Sequence, residues 1–297
     1  MHNLKGASLM VLSMACFALM DMFVKLLSAD LPPGEILAIM GAGGAIGMAL
    51  LLIARGEAPM TRDMLRGAVA VRSGFDAAAS LTIVFALSLV PLSLFTTIIQ
   101  ANPLLVTLGA ALFLAEPVGW RRWTAISVGL LGVLIVLRPW DDAFDLAALL
   151  AVAGVVFQSA RDLSTRWVAA SVNSLQVSAM GFVAMVPTGL LAMVVTGTPG
   201  VMPEGREFLW IAGGIGVALP AFLSIVVAMR IGEVSFVAPF RYSRIVFGLL
   251  AGMLVFGELL DGYTLLGAAI IVASGLYTFL REARLRRHGL KDSPGGV

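Results

Sequence analysis

The sequence has one cysteine, Cys16, and two histidines, His2 and His288, which lie toward its two ends. A lone thiol excludes an intrachain disulfide and a cysteine metal cage. With no histidine in the interior there is no HExxH pair, no buried Ser–His couple and no histidine metal site. A GxxxxGK[ST] phosphate loop is missing too, so ATP hydrolysis is not expected to drive this chain. Charged residues make up only 13% of the 297, against about 25% in an ordinary soluble domain. The 59% of hydrophobic residues, with a mean hydropathy of +0.97, could not be hidden in a water-soluble core with so few charges to cover it. The chain therefore reads as an all-α integral membrane protein that uses no cofactor and no metal and is not an enzyme. Its 20 Lys and Arg are scattered between apolar runs and form no stripe for nucleic acid.

Apolar runs of spanning length occur at 4–28, 34–54, 67–88, 93–115, 122–138, 145–168, 174–196, 206–229, 235–257 and 263–281. A helix needs about 20 such residues to cross the hydrocarbon core, and the polar alternation of a β-barrel is absent. Ten transmembrane helices are expected, broken by turn residues such as Pro32-Pro33-Gly34, Val90-Pro91, Glu116-Pro117 and Asp261-Gly262. One set of alternate connections holds fourteen cations, among them Arg55, Arg62, Arg66, Arg161 and Arg166, whereas the other holds Lys25, Arg138 and Arg206. Lys and Arg accumulate on the cytoplasmic side. Both termini are therefore expected in the cytoplasm, with the chain in the cytoplasmic (inner) membrane and 284–297 as a basic cytoplasmic tail. Lys5 and the apolar run from Ala7 also have the make-up of a signal peptide, but no small-residue cleavage pattern follows.

Polar features of the first half recur in the second at shifts of 140 to 143 residues. Asp21 and Lys25 fall on Asp162 and Arg166, Ser93 on Ser235, Glu116 on Glu258 and Gly132 on Gly275. Five helices per copy is an odd number, so the copies 1–140 and 141–283 would enter the membrane from opposite sides. Inverted repeats give two nearly equivalent packings, one opening each way, with a site near the midplane.

Each half ends in a helix closing on a glutamate, Phe113-Leu114-Ala115-Glu116 and Val255-Phe256-Gly257-Glu258, followed by a glycine-rich helix. With Val237-Ala238-Pro239-Phe240-Arg241-Tyr242 before the second glutamate, the chain resembles the EamA-type transporters of the drug/metabolite transporter superfamily. The resemblance implies a ten-helix carrier of small metabolites, commonly an exporter of amino acids, working by alternating access without a nucleotide-hydrolysing subunit.

Charges inside a membrane need partners and mark functional candidates. Asp21 with Lys25, and Asp162 with Arg166, are spaced i,i+4 and are expected as self-neutralised structural pairs. Arg72 and Asp76 share that spacing but face Gly214 and Ala218 in the other half, an asymmetry that suits a substrate site or another ion pair. Thr97, Gln100 and Asn102 oppose Arg241, Tyr242 and Arg244 as substrate-binding or gate residues. Asn102 and Arg244 each lie nine residues past the serines, roughly 13 Å deep. Glu116 and Glu258 are expected to cap helix junctions, with proton coupling as the other reading. Glycines at 41, 43, 44, 47, 213, 214 and 216 are read as packing contacts. Pro103, Pro187, Pro220 and Pro239 are read as kinks. Partners are a small-molecule substrate and the bilayer, with monomer and homodimer both open. The runners-up to amino-acid export are uptake or exchange of an anionic or nucleoside-like metabolite, an ion channel, and a membrane scaffold or regulatory subunit.

Overall fold

In the computed structural model, residues 2–114, 119–141, 144–169, 171–231 and 234–289 are described. All regular structure among them is helical. The elements are α1 (His2–Leu27), α2 (Pro33–Ala54), α3 (Gly67–Leu89), α4 (Leu92–Ile99), α5 (Asn102–Phe113), α6 (Trp120–Leu137), α7 (Ala148–Ser164), α8 (Ser174–Thr196), α9 (Arg206–Ile231), α10 (Val234–Val237), α11 (Ser243–Phe256) and α12 (Gly262–Gly289). Among the described residues nine segments are long and apolar enough to cross a membrane, and α7, with 17 residues, supplies the tenth expected run. Leu191, Val194, Val195 and Leu254 are each more than 60% exposed, which only an apolar solvent rewards.

The fourth run is one expected span but two helices. Pro103 has no N–H to offer the carbonyl of Ile99, and the chain tightens at Gln100 and Ala101, whose N–H groups reach back three residues to Thr97 (3.3 Å) and Ile98 (3.0 Å). The ninth run breaks at the matching level, where Pro239 sits in a 3-10 turn, Ala238–Tyr242, between α10 and α11. Pro187 and Pro220 lie inside α8 and α9, which continue through them.

Four seams organise the bundle: α1 against α9, α2 against α8, α3 against α7, and α6 against α12. Glycines let backbones touch in two of them. A Cβ at Gly34 would sit 2.8 Å from the Gly189 carbonyl oxygen, and one at Gly267 would sit 2.7 Å from that of Gly132. Gly41 and Gly44 meet Phe182, Gly43 meets Ile215, and Gly213 meets Phe23, so these glycines are packing contacts, whereas a Cβ at Gly216 would meet nothing within 4 Å. Trp120, Trp123, Trp140 and Trp167 are exposed near helix ends, as an interfacial belt requires.

Candidate functional site

Spans four and nine place the candidate site. Over their first stretch from Pro91, α4 packs along α11, with Thr96 seated in the notch left by Gly248 and the Glu258 carboxylate in that left by Gly252. Beyond the two breaks the spans part. Among the described residues α5 turns to α7 and α6, while the 3-10 turn stays with α1 and α12, and no packed face joins α5 to it. The polar cluster sits at the vertex of this fork.

The end bearing Pro91 is closed by an arrangement of helix termini. Lys25 Nζ donates to the carbonyls of Leu87 (3.2 Å) and Val90 (2.6 Å) at the C-terminus of α3. The Glu258 carboxylate accepts from the backbone N–H groups of Leu92 (2.6 Å) and Ser93 (2.8 Å) at the N-terminus of α4. Each charge meets the terminus of opposite partial charge and occupies backbone groups left without helical partners. Behind the corner lies the largest apolar cluster, including Leu27, Leu37, Leu87, Leu92, Phe95 and Ile98. The capping expectation for Glu258 fits this contact; Glu116 lies outside the described residues.

At the vertex, the charged side chains bond across helices. Arg72 Nη1 donates to Asp76 Oδ2 (3.1 Å) and to the Val177 carbonyl (3.1 Å), so the i,i+4 pair forms. Asp76 also accepts from Arg161 Nη1 (3.0 Å), and Arg161 reaches Asp162 Oδ1 through Nε (3.1 Å) and Nη2 (2.9 Å). Asp162 Oδ2 accepts from Asn102 Nδ2 (2.9 Å), and Asn102 Oδ1 accepts from the Ser159 hydroxyl (2.8 Å). Gln100 Nε2 donates to the backbone carbonyl of Arg241 (3.5 Å). The Arg241 guanidinium is within Coulombic reach of Asp162 and makes no hydrogen bond or ion pair among the described residues.

Two sequence readings are corrected here. Asp21 does not pair with Lys25: it accepts from Arg244 Nε (3.2 Å) and Nη2 (2.6 Å), with Arg244 also over the Phe17 ring. Lys25 is spent on the α3 carbonyls. Asp162 likewise takes Arg161 and Asn102 in place of the expected Arg166, which stands on an exposed 3-10 turn. The i,i+4 spacing brings two side chains within reach, but Asp21 finds its partner on another helix, whereas Asp162 takes the adjacent Arg161 of its own helix together with Asn102 of α5. Arg244 is thereby paired with Asp21, and Arg161, counted among the loop cations, joins the network at the vertex. The signal for Arg161 was its place beside Asp162, directly ahead of a carboxylate already singled out.

Thr97 and Tyr242 stand apart from the cluster. The Thr97 hydroxyl returns to the Ser93 carbonyl (2.8 Å) of its own helix. Tyr242 is buried with its hydroxyl unpaired against Gly275 and its ring edge-on to Phe279. Chemically, the described residues of the vertex present polar donors, two carboxylates paired with arginines and the Arg241 guanidinium, at broken helices.

Residues 4–138 match the EamA-like transporter family. The chain is 33% identical over 192 residues to a riboflavin transporter of Vibrio cholerae, a stretch covering 64% of this chain and 63% of that one. It is 26% identical over 208 residues, 69% of each chain, to an S-adenosylmethionine uptake transporter of Rickettsia felis. It is 26% identical over 272 residues to a pseudopaline exporter of Pseudomonas aeruginosa, 91% of this chain and 94% of that one. A crystal structure superposes with a TM-score of 0.62 at 20% identity, covering 92% of this chain and 98% of that one, a likeness of fold alone.

Proposed function

Since residues 4–138 match the EamA-like transporter family, we propose that the chain is a secondary carrier moving an amino acid or related small metabolite across the cytoplasmic membrane by alternating access. The observation that carries this reading is the fork: spans four and nine are zipped together at one end, split at the other, and hold the charged cluster where they divide. A channel would need a continuous polar path or a filter.

The inverted-repeat expectation draws support from the contacts. The seams α1–α9 and α3–α7 exchange under a five-span shift, and so do the contacts Asp21–Arg244 and Asp162–Asn102. With both termini cytoplasmic, the Lys25–Glu258 end faces outward. This arrangement is then closed to the outside and split toward the cytoplasm. Solute enters the fork, meets Arg241, Gln100 and Asp162, and leaves by the other face once α4 and α11 unzip and α5 closes on the 3-10 turn. The two halves, 1–140 and 141–283, supply opposite walls.

Outward movement of an amino acid is the first reading of direction. The second is uptake or exchange, favoured by the match to an S-adenosylmethionine uptake transporter across 69% of the chain. Counterflow in proteoliposomes tests the carrier. Vesicles loaded with amino acids, nucleosides or carboxylates should accumulate labelled trace solute only when loaded with a compound that competes for the same site. Uptake without saturation would indicate a channel, and no exchange across the panel by folded protein would leave a scaffold.

A further inference from the structure

We infer that Asn102 sets the charge class of the ligand: it supplies an amide where its counterpart supplies a guanidinium, and so leaves Arg241 as a surplus cation for one anionic group. The inference rests on the carrier reading and deepens it.

The same contact occurs twice. Asp21 of span one meets Arg244 of span nine, and Asp162 of span six meets Asn102 of span four. In the first copy the guanidinium gives Asp21 hydrogen bonds and charge together. The pair is neutral and sealed, with side chains 3% and 13% exposed. In the second copy the amide gives one hydrogen bond and no charge. The Asn102 amide presents its NH2 to Asp162, with the Ser159 hydroxyl oxygen 2.8 Å from its Oδ1. The Asp162 side chain stays 26% exposed and draws its countercharge from Arg161.

Charge balance follows. Arg72 and Arg161 offset Asp76 and Asp162 through bonds of 2.9 to 3.1 Å. Arg241 is left over, near Asp162 but bonded to nothing through its guanidinium among the described residues. An uncompensated guanidinium in a low-dielectric interior is costly. The empty cluster therefore stays hydrated at the open fork. A carboxylate, able to take two parallel N–H bonds from the guanidinium, brings the cluster to neutrality, and the filled site can close. Occupancy is thus coupled to closure by charge, and Asn102 acts as a positioning residue through Asp162 and Arg241.

The test is Asn102→Asp, with Asn102→Ser as the neutral control, each compared with wild type in counterflow of a carboxylate solute that wild type exchanges. A second carboxylate beside Asp162 becomes a resident anion for Arg241. At pH 7 the apparent affinity of Asn102→Asp should fall about tenfold or more, the effect of a pairwise charge interaction of one pKa unit or above. Acidification should restore it as the new carboxylate protonates, whereas any loss in Asn102→Ser, which removes the amide without adding a charge, should be smaller and independent of pH. Wild-type affinity in Asn102→Asp at pH 7 would overturn the inference. So would an equal, pH-independent loss in both variants, which would mean a structural role. Exchange by wild type of neutral or cationic solutes alone would overturn the anion assignment and leave the carrier standing, whereas no exchange by wild type would remove the carrier reading itself.

Discussion

Replacing Glu258 with alanine should open the Pro91 end of the protein. In the closed arrangement one carboxylate accepts from two backbone amides at the start of α4, at 2.6 and 2.8 Å, inside the notch left by Gly252. Hydrogen bonds to charged groups contribute about 1.5–3 kcal/mol and loss of an N-terminal cap costs about 0.5–2 kcal/mol. In an arrangement open at that end the same amides meet water, so the loss falls on the closed arrangement alone. A bias of about 2–4 kcal/mol shifts the equilibrium roughly thirty- to several-hundred-fold toward opening. The reporter is a single cysteine in place of Thr96, which is fully buried against Gly248, in a background with Cys16 changed to Ala. A membrane-impermeant thiol reagent applied outside right-side-out vesicles should label this position at least about tenfold faster with Glu258→Ala. Glu258→Gln, which keeps an acceptor and loses the charge, should fall between. Unchanged labelling in Glu258→Ala would refute the idea that helix-terminus capping holds this end shut.

Other perturbations separate partners from bystanders. Arg244→Ala leaves Asp21 uncompensated in the interior and should lower stability by about 3–5 kcal/mol, read as a fall in the thermal unfolding midpoint of purified protein. Asp21→Asn together with Arg244→Gln should recover most of it. Exchanging the charges of Asp21 and Lys25 should not, because the two do not bond each other; recovery in that swap would contradict the assignment. Gly189→Val places a branched side chain 2.6 Å from the Ala38 nitrogen and should abolish the monodisperse folded peak in size-exclusion chromatography. Lys25→Met should act in the same direction as Glu258→Ala on Thr96→Cys labelling, since it frees the two carbonyls at the other side of the same corner.

Hydropathy alone carried most of the architecture. The seventh run, 174–196, coincides with α8, because lipid forces each span to be long, apolar and internally bonded. Pro103 and Pro239 stand where spans four and nine break, whereas α8 and α9 continue through Pro187 and Pro220. Glu258 was legible as a cap from its place at a helix end. The ion pairs were less so. Spacing within one helix reports reach, and it says nothing about Arg244 arriving at Asp21 from 223 residues away. Arg161 was hidden for a related reason: a cation near the end of a short helix looks like a topology signal until the structure puts it between Asp76 and Asp162.

Saturable counterflow by wild type and by Arg241→Ala, measured side by side at matched protein density, bears most directly on the claim that this protein is a carrier whose ligand meets the unengaged guanidinium at the fork. The account predicts accumulation of specific solutes by wild type and loss of that exchange in Arg241→Ala, with equal thermal unfolding midpoints. Wild-type exchange kinetics in a folded Arg241→Ala protein would contradict it.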